Sequence, residues 1–548
     1  MANSKQTRVI LSKNINLDKE YKEVLNYSEQ QMLNLMQDND HLIYRGENLT
    51  YIREEGNTIS LKIDSTFTYQ QAITCTYLAF VNPDYENKWF FAFVDDVVYK
   101  SNGTVEIKYI VDVMTTWFNR VTPSQSFVVR EHTMDDTLGN NTLPENLEIG
   151  EYVVTDYWRL AYGLRNCYIC IGVSSLPANF PSQITLGSRI YNGIYSGLRY
   201  FIFKDETSAS KFIRGYDNER MAEAIYTIFL VPTGFITSTT TSEWENVTIG
   251  NQTGITLGVY LPSNDPISIF NTQQVSVPDD LNGYTPKNNK LFTYPYSYMY
   301  ITNNCGGDVI YNYEDFDGQP VFACDGALCV GCSIKMYPRN YKKLPVDDNE
   351  KRLQYNYGIN GGKYPTCSWA SDSFTNWITQ NAINIGLGIV GGAAVVGAGF
   401  LTGGTALAAA GMVGGGTMSI ASTLNQVYQH TAVPEQAQGN TNSGDVVTSG
   451  HEMGFTLFNM SIKSQYAKIV DEYFTRFGYK TNLTKVPNIN GRRYFNYVQI
   501  ADSEVIGYGE VPNKYMDEIN RIFRRGVTIW HDHTKIGDYT VNNTIVTP

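Results

Sequence analysis

Residues 95 to 113, "DDVVYKSNGTVEIKYIVDV", decide how the first part of this chain folds. Asn102-Gly103 is the dipeptide that a two-residue type I′ turn favours, and the flanking runs alternate apolar and polar positions, the period of a half-buried strand. The stretch predicts an antiparallel β-hairpin. Before it, "QAITCTYLAFV" (71–81) and "ENKWFFAFV" (86–94) read as short aromatic strands, and after it "SQSFVVREH" (124–132) reads as another. The first 132 residues are therefore expected to form a mostly antiparallel β domain.

The same chemistry runs through the whole chain. Its 548 residues are too many for one core, and its 40 tyrosines and 25 phenylalanines suit half-buried pleated surfaces, so much of the chain should be strand. Between residues 150 and 370, "RYFIFK", "AIYTIFLV", "ITLGVYL" and "SYMYIT" are strand-like runs separated by turn-formers, a β-rich region with long connections. The C-terminal part is clearer. "GFTLFNMSIK" (454–463) reads as a strand, and "SQYAKIVDEYFTRFGY" (464–479) as a helix with Ala467, Val470, Phe474 and Phe477 at helical spacing. Strands follow at "KTNLTKV" and "RRYFNYVQIADSEVIG". "VPNKYMDEINRIFRRG" (511–526) has Pro512 at a helix start, Met516, Ile519 and Phe523 on one face, Arg524 and Arg525 in the last turn and Gly526 just beyond it. With "VTIWHDH" closing as a strand, the order β-α-β-β-α-β predicts a compact α+β unit. The fold class is mainly β with α+β.

One segment breaks this pattern. From residue 373 to residue 434 there is no Asp, Glu, Lys or Arg, and its centre is "NIGLGIVGGAAVVGAGFLTGGTALAAAGMVGGGTMSIAS" (384–422). Ile385, Leu387, Ile389, Val390, Val395, Val396, Phe400, Leu401, Leu407, Met412 and Val413 are its large apolar residues. Removing them from water is worth about 15 to 30 kcal/mol in total. Nine glycines within residues 385–413 oppose a rigid helix, each costing about 1 kcal/mol relative to alanine. Two arms, 385–401 and 405–424, are each about 24 Å long if helical, short of a hydrocarbon core of about 30 Å. Small residues in "GGAAVVGAG" allow close approach between arms or chains. A re-entrant or oligomeric pore former fits better than an anchor; a buried helical hairpin, or a glycine-rich gasket between subunits, is the competing reading. A polar linker, "AVPEQAQGNTNSGD", follows.

No catalytic constellation is intact. "HEMGF" (451–455) starts like a zinc-protease motif but has Phe455 at the second ligand position. "GINGGKY" lacks the Ser or Thr of a phosphate loop, because Tyr364 follows the lysine. "EDFDGQP" has Asp315, Asp317 and Gly318 as in a calcium loop, but Cys324 stands where the closing Glu belongs. His531 and His533, with His451 as a conceivable third ligand, would share a strand face; surface or core polar roles are the commoner use of such spacing. Asp95-Asp96 point to opposite faces of a strand and cannot form an acid/base pair. Cys167/Cys170 and Cys329/Cys332 have zinc-site spacing but lie in apolar strand-like runs, which favours buried free thiols over a metal. Neither an enzyme nor a cofactor is expected. The net charge of −12 and pI of about 5.1 argue against gripping nucleic acid through phosphate neutralisation, while allowing DNA to pass. "MANSKQTRVILSKNINLDKE" has no apolar signal-peptide core, so folding in a cytoplasm is expected.

At "ENKWFFAFV", "SFVVREH" and "YFNYVQI…NRIFRRGVTIWHDHTKIGDYTVNN" the chain closely resembles the distal tail, or tail knob, proteins of small short-tailed bacteriophages of Gram-positive hosts, over residues 60–135 and 455–543. The resemblance implies a structural virion protein at the tail tip: a homohexameric tube, contacting other tail and collar proteins, that passes viral DNA without sequence-specific binding. It also implies that residues 385–424 plug the lumen and are expelled to form a channel in the host cytoplasmic membrane. The implied layout is a tube domain at 1–150, a middle or knob region at 151–370, the uncharged loop and linker at 371–454, and a second tube domain at 455–548, the two end domains packing together. The alternative is a receptor-binding, adhesin-like tail protein whose apolar segment is only an assembly gasket.

Overall fold

A computed structural model describes residues 6–50, 57–64, 66–100, 103–163, 166–191, 194–238, 240–262, 267–329, 333–344, 351–364, 366–368, 452–501, 506–508 and 511–546. The chain divides into two compact units. One comprises Met1–Ile149, Pro286–Leu291 and Gln465–Pro548; the other comprises Gly150–Thr285 and Phe292–Ser464. Strands dominate both, with a few helices, as the aromatic and β-branched composition predicts.

The first unit holds the hairpin expected at residues 95–113. Lys88–Lys100 and Thr104–Val111 pair antiparallel with Lys100 opposite Thr104, so three residues close the loop instead of the expected two. Gly103 has φ +66, the left-handed conformation that a three-residue loop needs and that glycine adopts without steric cost. The pair lies within a six-stranded antiparallel sheet in the order Leu42–Thr50, Gln6–Ser12, Tyr77–Asn82, Lys88–Lys100, Thr104–Val111, Thr58–Lys62. Asp95 is the extra residue of a β-bulge between Val94 and Asp96; Asp95 pairs with Lys19 and Asp96 with Lys108, two separate surface ion pairs.

The second sheet of this unit mixes the two ends of the chain. Its order is Glu23–Leu25, Val527–Trp530, Phe495–Ile500, Ser126–Glu131, Tyr479–Lys485. The helix Asn513–Arg525 ends at Gly526, φ +89, and buries Ile519, Ile522 and Phe523 in the core that also contains Phe91 and Trp117. The rings of Phe118 and Phe523 lie 5.5 Å apart, and those of Trp117 and Tyr515 stack at 5.6 Å. The C-terminal β-α-β-β-α-β series is therefore not self-contained. Its first strand, Glu452–Ile462, belongs to the second unit, and its later strands are completed by Ser126–Glu131 and Glu23–Leu25.

In the second unit one sheet runs Glu245–Ile249, Gln252–Val259, Arg199–Phe203, Cys167–Val173, Ile225–Pro232, Thr366–Ser368, and another runs Ile267–Gln274, Val321–Gly326, Ser333–Pro338, Ile359–Lys363. The helix Glu206–Asn218 is absent from the sequence reading. Its signals are the Asp205 N-cap, whose carboxylate accepts from the Ser208 N–H at 2.7 Å, and the buried Ala209, Phe212, Ile213 and Tyr216 at helical spacing. A third sheet, Tyr152–Gly163, Glu452–Ile462, Ser297–Thr302, Asp308–Tyr311, carries the candidate site.

Candidate functional site

The eleven apolar residues assigned to the membrane-active loop, Ile385, Leu387, Ile389, Val390, Val395, Val396, Phe400, Leu401, Leu407, Met412 and Val413, lie outside the described residues. Among the described residues no helix is long and apolar enough to cross a membrane. The described chain resumes at Glu452, which begins the second strand of the third sheet.

That sheet has one buried and one open face. Met299, Ile301, Phe455, Leu457 and Tyr311 point into the core, each at most 1% exposed. The alternate residues face outward in register. Tyr300 lies opposite Phe458 and Ile310, Phe458 lies opposite Tyr157, and Tyr298 and Val154 both lie opposite Met460. Tyr157 is 62% exposed, Val154 49% and Ile310 47%. Tyr298 also has the rings of Tyr152 at 5.1 Å and Tyr294 at 6.1 Å. The charged side chains nearest these rows are Asp156, exposed at the bulge opposite the inward Asn459, Arg159, which pairs with Glu452, and Asp308 at the start of its strand. The signal for this surface lies in "SYMYIT" and "GFTLFNMSIK", which carry apolar residues on both faces of their strands.

The first unit contains a second dense constellation, of buried charge. Residues 133–149 have no regular secondary structure apart from one turn, and they are held by their side chains. The Glu145 carboxylate is fully covered; it pairs with Arg130, accepts from Lys290 Nζ at 2.6 Å and accepts from the Lys480 N–H at 2.8 Å. Lys290 also donates to the Leu143 carbonyl at 2.9 Å and sits over the rings of Phe474 and Tyr479. Burial pulls its ammonium pKa down, with Glu145 opposing that shift. Asp136 accepts from the Tyr479 hydroxyl at 2.6 Å and the Asn289 N–H at 3.1 Å, and burial raises its pKa. Asp471, buried on an otherwise apolar helix face, accepts from the N–H groups of Lys287 and Asn288. His132 is neutral: its Nδ1 accepts from the Tyr497 N–H at 2.7 Å and its Nε2–H donates to the Thr475 carbonyl at 3.0 Å, while burial depresses its pKa to about 3. These bonds fix the strap to the strands and helix around it, while Arg492 Nε, on the guanidinium that faces Asp136 and Tyr479, is buried without a hydrogen-bond partner.

The other motif candidates resolve into structure. His531 and His533 do not share a strand, because the strand ends at Trp530; His531 meets Asn496, and His533 stands in a short 3-10 turn with Nδ1 3.0 Å from the Tyr27 hydroxyl. His451 is outside the described residues. Within "GINGGKY" Ile359–Lys363 is a strand, and Gly358 just before it and Gly361 in it leave room for Met336 and Ile334; a Cβ would come within 2.6 and 2.5 Å of their atoms. Asp315 of "EDFDGQP" accepts from the Tyr341 hydroxyl, and Cys324 is buried in a strand. Cys167 and Cys170 are in no disulfide and burial raises their pKa values, whereas Cys329 is disulfide-bonded, which corrects the expectation of a buried thiol there. No group of metal-ligating side chains is assembled among the described residues.

Comparison with known proteins was made on sequence and on fold. Residues 267–544, about half the chain, match the family described as the C-terminal domain of the tail knob protein gp9 of Bacillus phage phi29, and residues 5–122 match the N-terminus of caudoviral major tail proteins. The chain is 24% identical to the tail knob protein gp9 of Bacillus phage PZA over 567 residues, covering 91% of this chain and 90% of that one. It is 23% identical to the gp9 of Bacillus phage B103, covering 86% and 87%. In fold it is similar to the tail knob protein gp12 of bacteriophage C1, with a TM-score of 0.61, 14% identity and coverage of 98% and 100%.

Proposed function

The chain belongs to the family of phage tail knob proteins, structural components of the virion tail, and from that membership we propose that it forms the distal tube of the tail and opens the host membrane for genome ejection. The observation that carries this reading is the uncharged run of residues 373–434, placed between the strands Thr366–Ser368 and Glu452–Ile462 of a chain that is 18% charged over its whole length. Apolar side chains at this density are satisfied either in a closed lumen or in a bilayer, and only the bilayer demands an uncharged path.

In this reading the protein acts without catalysis, as a homohexamer whose residues 371–454 form a module separate from the tube wall. The module is stored inside the virion and released at the host cytoplasmic membrane. The acidic balance lets DNA slide through without the salt-dependent phosphate contacts that would retain it. The test is dye release from liposomes. Val395→Asp with Phe400→Asp costs about 2.5 to 3.5 kcal/mol per residue at bilayer depth, multiplied by the number of chains in the channel. Leakage by the triggered particle should collapse while the tube still assembles. Equal leakage from the parent and the doubly substituted protein, or none from either, overturns the proposal and favours an adhesin-like role with an apolar gasket.

A further inference from the structure

We infer that the outward aromatic face of the Tyr152–Gly163, Glu452–Ile462, Ser297–Thr302, Asp308–Tyr311 sheet is the seat on which the uncharged segment 373–434 of the same chain rests before release. This rests on the storage half of the proposed function and adds the surface that does the holding. Tyr157, Val154 and Ile310 are about half exposed or more on one face, in register with Tyr298, Tyr300, Phe458 and Met460. A contiguous apolar patch of this kind on a soluble sheet marks an interaction surface.

Two observations choose the occupant. The first is where the chain outside the description ends. It returns at Glu452, the first residue of the strand that carries Phe458 and Met460. Six residues of strand place Phe458 about 20 Å from that entry point, while residues 435–451 reach up to about 55 Å when extended, so the segment has ample chain to reach the patch. The second is charge. The two outward rows Tyr157–Phe458–Tyr300–Ile310 and Val154–Met460–Tyr298 contain no carboxylate, ammonium or guanidinium; Asp156, exposed at the bulge between them, is in register with the inward Asn459, and Arg159 and Asp308 stand in the next row along. A segment without Asp, Glu, Lys or Arg leaves no charge unpaired on such a surface. Tyrosine supplies flat apolar rings for a glycine-rich backbone and hydroxyls for its amides.

The experiment is photo-crosslinking of full-length assembled protein without lipid. p-Benzoylphenylalanine replaces Tyr157, whose exposure tolerates it, and in a parallel preparation Tyr195, which is 66% exposed elsewhere in the second unit. The expected product from position 157 migrates as a single chain, with the cross-link mapping to residues 373–434, and position 195 does not produce it. A dimer band would make the face an interface between copies and overturn the seat. So would a link outside 373–434, no link from position 157, or the same link from position 195. A second arm places the probe at Ile310 and adds Val154→Asp and Tyr157→Asp, both at exposed positions; the link to 373–434 should be lost, and its persistence counts against an apolar seat. Because no lipid is present, the result stands apart from whether the segment makes membrane channels.

Discussion

Replacing Glu145 with alanine should be among the most damaging single changes to the first unit. Its carboxylate is the shared anion for Arg130 and Lys290, whose side chains are 10% and 2% exposed, and it also accepts from the Lys480 N–H. The substitution removes the anion shared by two buried cations and the acceptor of one part-buried N–H. Removing one partner of a buried pair costs about 3 to 5 kcal/mol. The unit contains roughly 240 residues counted over its three segments, and for cooperative unfolding at that size about 2 to 4 °C is lost per kcal/mol, so Tm should fall by about 6 to 20 °C. The loss should also depend on pH in a defined direction. The Lys290 pKa is already lowered by burial and falls further without Glu145, so the folded variant releases a proton that the unfolded chain keeps. Stability then rises with pH between that folded value and the ordinary lysine range, and the gap to the parent narrows at alkaline pH. Differential scanning calorimetry at neutral and alkaline pH reads both effects. The matched control is Glu151→Ala, which breaks the exposed pair with Lys463 and should leave Tm within error. A Glu145→Ala variant as stable as that control would refute the buried-clasp reasoning.

Two further perturbations follow from the same sheet. Gly478 has φ +64, and a Cβ there would lie 2.1 Å from the Glu131 carbonyl oxygen, a backbone atom that cannot swing aside; Gly478→Ala should cost at least about 1 to 3 kcal/mol in urea unfolding. His132 is held neutral, with a folded pKa of about 3 against an ordinary 6.5. Its contribution is present above the ordinary value and is lost as pH falls from about 6.5 towards 3, because the unfolded chain binds a proton that the folded one refuses. His132→Gln should therefore show a shallower acid limb in a plot of Tm against pH than the parent, whatever its stability at neutral pH.

Much of this protein was legible locally. The hairpin at 95–113, the aromatic strands around it and the helices Ser464–Phe477 and Asn513–Arg525 follow from turn chemistry and from periods of 2 and 3.6, which act over a few residues and need no partner. The uncharged run, the absence of an intact catalytic motif and the family were equally readable, since each depends on composition or on residues adjacent in sequence. What periodicity cannot carry is the identity of the neighbour. An apolar face needs a surface to cover it but does not name one, so "GFTLFNMSIK" was read correctly as a strand and assigned to the wrong sheet. The pairing of Ser126–Glu131 with Tyr479–Lys485, across nearly the whole chain, is likewise a tertiary decision, made by side-chain complementarity between segments that no local signal links. Asp471 shows the same limit within one helix: its carboxylate stands among buried apolar residues, and the Lys287 N–H, the Asn288 N–H and the Asn288 side-chain amide that donate to it arrive from elsewhere in the chain. Local energies are encoded one residue and its near neighbours at a time, whereas long-range pairing is decided by which surfaces match once the chain has collapsed.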